Sequence, residues 1–310
     1  MVLAHRSPTE NSGPRISIGQ LLFAFSQFIR SLRAASNCTV GLRYTEHLSH
    51  FSLPMQSSIL ALLAAVKVPR NHTAAMQLLQ LYTQSGHFFW THGVVKRAKL
   101  VSFASKLAEY RIGRDTPGRA YDKTRGLASS HLVLTDSPDG VLPWVLISTS
   151  GRGGLGDVNA TSIGTVRDAR LTGQHILWKH YELVHLEKTI KRTRDVVTKK
   201  GVLLSNRTET IHKTTWTWRM TSDRYKGHEA FIASLAKHRD VPGLADELRA
   251  LAMMPQFSGV RGQVLKLYAE TKKLSSKFSL TLPVFPELPF MVKMPVYGTP
   301  TATLLRLHEG

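Results

Sequence analysis

At 310 residues, with 42% hydrophobic and 20% charged side chains, the chain carries enough apolar material for one large or two modest folded domains and is unlike a disordered segment. Its 41 Lys and Arg stand against 21 Asp and Glu, a formal net charge of +20 that suits a polyanionic partner. The single Cys38 excludes an intramolecular disulfide framework and a thiolate-rich zinc site, and the longest apolar run, Ile59 to Val66, is too short to cross a bilayer, so no membrane partner is expected.

The charge is not confined to a tail. Residues 1–108 hold two acids, Glu10 and Glu46, against eleven Lys and Arg. In chain order, residues 1–16 are polar with Pro and Gly and read as a disordered arm. A helical N-terminal domain is expected over 17–110. Leu21, Leu22, Phe25, Phe28, Ile29 and Leu32 mark one helical face, a short apolar helix runs from about Pro54 to Val66, and Ala75, Leu78, Leu79 and Tyr82 mark a third helix. A strand near His87–Trp90 then leaves two arrangements open, a winged helix-turn-helix or a plain helical hairpin; the hairpin is preferred because the turn lacks the usual Gly. Residues 111–128 are basic and turn-rich and read as a linker.

From 129 to 310 an α+β domain is expected. His131–Thr135 and Val141–Ser148 read as a hairpin around the Asp136–Gly140 turn. Gln174–Leu186 and Thr208–Met220 are rich in aromatic and β-branched residues and read as further strands. Helices follow at about 224–237, 242–254 and 259–276, the last with a Ser258 cap, and the proline-rich segment after Lys277 reads as a strap packed across the domain. The fold class is therefore α+β, with a helical N-terminal part, a central mainly antiparallel sheet and a helical C-terminal segment.

Gly151–Gly156 fits G-x-G-x-x-G directly after an apolar strand, but β-branched residues and Gly follow where a dinucleotide fold needs a helix, so a loop is preferred, with Arg152 as a backbone contact. A protein kinase is rejected: His238-Arg239-Asp240 is present, but Ala245 stands where the metal-binding Asn belongs. Histidine pairs such as His47 and His50, or His180 with Glu182 and His212, are compatible with a metal, but the low acid content argues against a hydrolytic centre; no metal and no cofactor are expected. His180, His185 and His212 are the candidates for a metal-independent cleavage of RNA by general acid-base catalysis.

The strongest constellation lies at 188–219. Lys188, Lys191, Arg192, Arg194, Lys199, Lys200 and Arg207 form a basic loop or ribbon interrupted by one acid, Asp195. Lys213, Trp216, Trp218 and Arg219 follow, with the two tryptophans on one strand face. Cations there bind phosphate, while the tryptophans either stack on bases or build the core, the core being preferred. Arg97, Lys99, Arg111, Arg114 and Arg119 extend the candidate nucleic-acid surface.

The blocks Tyr181-Glu-Leu-Val184, Thr215-Trp-Thr-Trp-Arg-Met220 and Gln256-Phe-Ser-Gly-Val-Arg261 resemble a group of uncharacterised proteins carried by bacterial plasmids and integrative conjugative elements. The resemblance covers about the last 140 residues and implies a mobile-element setting without any activity. The expected function is a basic protein binding DNA or RNA mainly through phosphate, with further protein subunits of a nucleoprotein complex as candidate partners. The alternatives are a metal-independent endoribonuclease and an organellar ribosomal component. A bacterial cytoplasmic location is expected; the Arg-rich front (Arg6, Arg15, Arg30, Arg33, Arg43) keeps a mitochondrial one open.

Overall fold

The computed structural model of the chain describes residues 59, 62–159, 163–197, 203–281, 283–289 and 291. All of them belong to one compact unit, 57–310. The expected arm and the helix at 18–35 lie outside the described residues.

Helix α1 (His72–Gln84) starts at Asn71, whose side chain accepts the Ala74 amide at 2.9 Å, and buries Ala75, Met76, Leu78 and Leu79. Strand β1 (Phe89–Lys96), helices α2 (Leu100–Leu107) and α3 (Thr116–Thr124), and strands β2 (Ser130–Leu134), β3 (Val141–Ser148) and β4 (Arg167–Asp168) follow. The strands form one antiparallel sheet in the order β2-β3-β1-β4. Alternation along β3 splits its side chains: Val145 and Ile147 join Trp90 and Val133 in the main core, while Trp144 on the other face meets Phe103 of α2 at 5.0 Å.

The second sheet has the order β5-β6-β7 (Ile176–Trp178, Tyr181–Val197, Leu203–Met220). Helices α4 (Ser222–Lys237), α5 (Val241–Ala252) and α6 (Ser258–Lys277) complete the unit. Helix α1 is shared: its apolar side chains and those of both sheets and of α4–α6 form one core cluster. Where described, the proline-rich segment packs against α6, with Phe285 edge-on to Tyr268 at 5.0 Å, and Arg261 donating to the Leu288 carbonyl at 2.6 Å.

Four expectations need correction. The domain boundary at 111–128 does not exist, because β1 pairs with β3 residue for residue, Phe89 opposite Ser148 and Lys96 opposite Val141, across the supposed linker. That linker is helix α3 and its flanks, tied down by the buried Asp122, which accepts from Arg111 at 2.8 Å and from Arg114 at 3.0 Å. The winged-helix option also fails. Helix α1 carries no Lys or Arg and leaves only Leu81 and Gln84 exposed, so it has neither the charge nor the free face of a recognition helix. The Gln174–Leu186 strand is broken at Lys179, which takes a left-handed φ of 54° between β5 and β6. Finally, Ser258 does not cap α6: its hydroxyl donates instead to Thr217 Oγ1 at 2.9 Å, fastening the helix to β7.

Where α1 meets the first sheet, His131 stacks on Tyr82 with ring centroids 3.9 Å apart and the buried His87 lies 4.9 Å away. Burial, with the neighbouring His87 and the field of Arg119, pushes the His131 imidazole down to about 3. An unfolded histidine takes up its proton near 6.5, so between pH 6.5 and about 3 the unfolded chain binds a proton that native His131 refuses. Stability is therefore complete above 6.5 and falls with acidification by about 1.4 kcal/mol per pH unit for this residue. Denaturant titrations at pH 6, 5 and 4 should show stability falling with acidification, and His131→Phe, which keeps the stacking on Tyr82, should make the fall shallower, the remainder coming from His87, His72 and His92, which burial also holds below the ordinary value; an unchanged slope in the variant rejects the assignment.

Candidate nucleic-acid interface

The candidate interface is a ribbon. Strands β6 and β7 pair from Tyr181–Met220 out to Val197–Leu203, with one register shift between Val196 and Val197. Among the described residues β5 reaches only to Leu183, and neither strand has another ladder partner beyond it. Residues 188–197 thus extend as a two-stranded arm of roughly 30 Å at about 3.3 Å per residue. A bare hairpin of this kind is marginal in water, so its position depends on its root.

That root is held on both faces. On one, the Trp218 indole N–H donates to the Met76 carbonyl of α1 at 2.9 Å, and Gln80 donates to the Trp216 carbonyl at 2.8 Å. On the other, Thr217 Oγ1 accepts from Ser258 Oγ and from the Gly259 amide at 3.2 Å. Gln263 closes the end of β7 by accepting the Met220 amide at 2.7 Å and donating to the Met220 carbonyl at 3.1 Å. Trp218 is 0% and Trp216 7% exposed, so neither presents a face to a base. The stacking role offered for them is corrected on this ground: both are core residues.

Register parity sorts the arm into two faces. One carries His185, Glu187, Thr189, Lys191, Thr193 and Asp195, opposite Trp216, Thr214, His212, Thr210, Thr208 and Asn206. The other carries Lys188, Ile190, Arg192 and Arg194, opposite Lys213, Ile211, Glu209 and Arg207. Five of the predicted cations therefore share one face, and Lys191 lies on the other. Lys199 and Lys200 lie outside the described residues. Two positions of the backbone register pair basic residues, Lys188 with Lys213 and Arg194 with Arg207. At the root, Arg219 continues the cationic face, its Nε donating to Glu182 at 2.8 Å.

The remaining cations divide. Arg97 pairs with Asp136 at 2.7 Å, and Arg111 and Arg114 converge on Asp122, whose carboxyl the Arg114 hydrogen bond holds below the usual carboxylate range. Arg119 donates to the Arg114 carbonyl at 2.6 Å, and Lys99 is exposed at the start of α2. Arg111, Arg114 and Arg119 thus hold the approach to α3, and Arg97 holds the β2–β3 turn. In the glycine-rich turn, Gly151 adopts a φ of 131° and a Cβ there would lie 2.7 Å from the Ala128 amide nitrogen, so the glycine is required by packing against 126–128. The Gly153 amide, which a phosphate would need, already donates to Asp157 at 2.8 Å, and that bond with the Asn159 amide lowers the Asp157 carboxyl from its usual range. The turn is its own anion site. Arg152 is exposed and donates to the Arg125 carbonyl at 3.2 Å.

The three histidines offered for catalysis are not brought together. His180 sits in the β5–β6 turn, and Glu182 and His212 occupy opposite faces of the ribbon. His185 stacks on Trp216 with centroids 4.8 Å apart, and His212, on the same face four positions along β7, lies roughly 13 Å farther out. That exceeds the reach of two groups exchanging protons around one phosphodiester. His212 bonds Glu187 at 3.0 Å, but both side chains are more than 60% exposed and nothing encloses them.

One further element was not foreseen: a groove of about 410 Å³ at the root of the cationic face, lined by Leu186, Arg219, Tyr225, Gly259, Gly262 and Lys266, with Ser258 and Gln263. The sequence signal for it was a pair of glycines in the first turns of α6. No protein-family model, no curated protein and no solved structure matches the chain.

The assignment of the tryptophans to the core is testable. Trp218→Ala should cost about 3–5 kcal/mol in chemical denaturation, the usual penalty for deleting a buried tryptophan. A variant with near-native stability would show that the indole is not held in the core.

Proposed function

We propose that this protein binds nucleic acid through the β6–β7 ribbon, using the face of Lys188, Arg192, Arg194, Arg207 and Lys213 against phosphate. The observation that carries the reading is the pair of like-charged cross-strand positions. A ribbon shaped only for its own stability would alternate charges across the ladder; one with cations facing cations gains stability when an anion lies between them. A phosphodiester backbone supplies such anions at regular spacing, and the net charge of +20 extends the attraction over the rest of the molecule. The opposite register positions mix Thr, His and Asn with Glu187, Lys191 and Asp195, one base against two acids, and so carry no positive excess. The mobile-element setting implied by the C-terminal blocks accords with such a role, and a ribonucleoprotein subunit uses the same chemistry. Cleavage of RNA by a central histidine is the weaker reading, since the three histidines do not converge.

Binding should weaken linearly with the logarithm of salt concentration. The charge-neutralising variant Lys188→Gln/Arg194→Gln/Lys213→Gln should lower affinity at least tenfold and reduce the salt slope by roughly 0.7 to 0.9 per lost phosphate contact. The matched variant Thr189→Gln/Thr210→Gln/Thr214→Gln on the other face should change neither. Equal losses from both faces, or a slope untouched by the first variant, would reject the one-sided ribbon as the contact surface.

A further inference from the structure

Helix α6 begins with two glycines within its first five residues, and the fold accounts for only one of them. At Gly259 a Cβ would lie 2.4 Å from the Trp218 carbonyl oxygen, so the close approach of α6 to β7 requires glycine. At Gly262 a Cβ would meet nothing within 4 Å, and the residue sits inside a 20-residue helix, where glycine costs about 1 kcal/mol relative to alanine. Packing gives no reason for its lack of a side chain. Its position does: Gly262 lines the 410 Å³ groove at the ribbon root.

The walls of that groove differ in chemistry. Leu186 and the half-buried Tyr225 supply an apolar side, and the guanidinium of Arg219, paired through Nε with Glu182, and the exposed ammonium of Lys266 supply cations. Ser258 and Gln263, the neutral polar members, are already committed to Thr217 and to the Met220 backbone, so the groove offers few hydrogen-bonding groups able to select one base. A flat apolar ligand bearing negative charge fits this combination: the ring lies against Tyr225 and Leu186 across the bare surface of Gly262, and the charge meets Arg219 and Lys266. The volume lies in the range that holds one small ligand and is far too small for the cross-section of a duplex. The groove also opens on the ribbon face that carries Lys188 and Lys213, the next ladder pair but two from Arg219 and Glu182 being 188 with 213.

We infer that this groove seats one unpaired nucleotide of the nucleic acid that lies along the cationic face of the ribbon, so that the protein prefers a single strand, or an unpaired segment, to a continuous duplex. The inference rests on the ribbon reading and adds to it the strandedness of the ligand and the place where a base is held. Recognition is by stacking and phosphate contact, without selection of a base.

The test fills the groove without disturbing the fold. Gly262→Leu places a side chain in the space reserved for the ring and should raise the thermal midpoint by restoring helix propensity. Gly227→Leu is the control: it sits in α4, where a Cβ likewise meets nothing within 4 Å, and it does not line the groove. Binding is measured with labelled single-stranded DNA and RNA of about twelve nucleotides and with the matching blunt-ended duplexes. The wild-type chain should favour the single strands, Gly262→Leu should lose about tenfold on them while retaining duplex binding, and Gly227→Leu should behave as wild type. Equal wild-type affinity for strand and duplex, or a folded Gly262→Leu protein that binds the strand as well as wild type, overturns the inference and leaves the ribbon as a phosphate contact. Absence of binding to every one of these probes overturns the ribbon reading and the groove assignment together.

Discussion

Everything outward on this molecule depends on how the last turn of β7 is gripped. Trp218 is wholly buried, its N–H is taken by Met76 of α1, and its own carbonyl lies so close to α6 that only glycine is tolerated at 259. One strand end is thus pinned between a helix on each face of its sheet. This matters because the arm beyond Glu187 has no third strand to support it among the described residues. A lone hairpin contributes little to its own stability, so its direction relative to the core is set where the hydrophobic and hydrogen-bonded contacts are, at Trp216–Met220.

Seen from that root, the candidate cations among the described residues fall into two groups. Arg111 and Arg114 spend their charge on the buried carboxylate of Asp122, and Arg97 on Asp136; they close loops around the first sheet. Arg219 is intermediate, paired with Glu182 yet lining the groove. The ribbon cations have a different ladder environment. Of the four cross-strand positions on their face, two oppose like charges, one sets Arg192 opposite Glu209 and one is the apolar pair Ile190–Ile211. Under the proposed reading, a polyanion along the ladder relieves the repulsion that such pairs imply.

How far the sequence revealed this can be judged element by element. The β2–β3 hairpin is legible because an Asp-Ser-Pro-Asp-Gly turn separates two apolar runs, and α1, α5 and α6 are legible from their 3.6-residue periodicity. The outer ribbon reads in the sequence only as a loop or ribbon, because a strand polar on both faces has no hydrophobic alternation to show; Thr189, Thr193, Thr208 and Thr210 carry β propensity, but the lysines and arginines between them hide it. The false linker at 111–128 arose from treating Gly, Pro and charge as mobility, when Asp122 converts those same charges into a buried tie. Pairing of β1 with β3, some fifty residues apart, has no local signature at all.

The tryptophans show why the face of a residue matters more than its type. Their two-residue spacing placed both on one side of β7 from sequence alone, and two indoles beside a basic run invite a stacking role. Burial decides otherwise, yet the same alternation then assigns Thr215, Thr217 and Arg219 to the opposite side, where Thr217 receives the start of α6 and Arg219 faces the groove. An aromatic side chain does line the groove, and it is Tyr225 of α4, a helix that begins two residues after β7 ends. The tight turn from strand to helix is what lets one ring reach the root of the ribbon while the tryptophans stay in the core, and it makes the groove a product of packing that no single segment of the chain encodes.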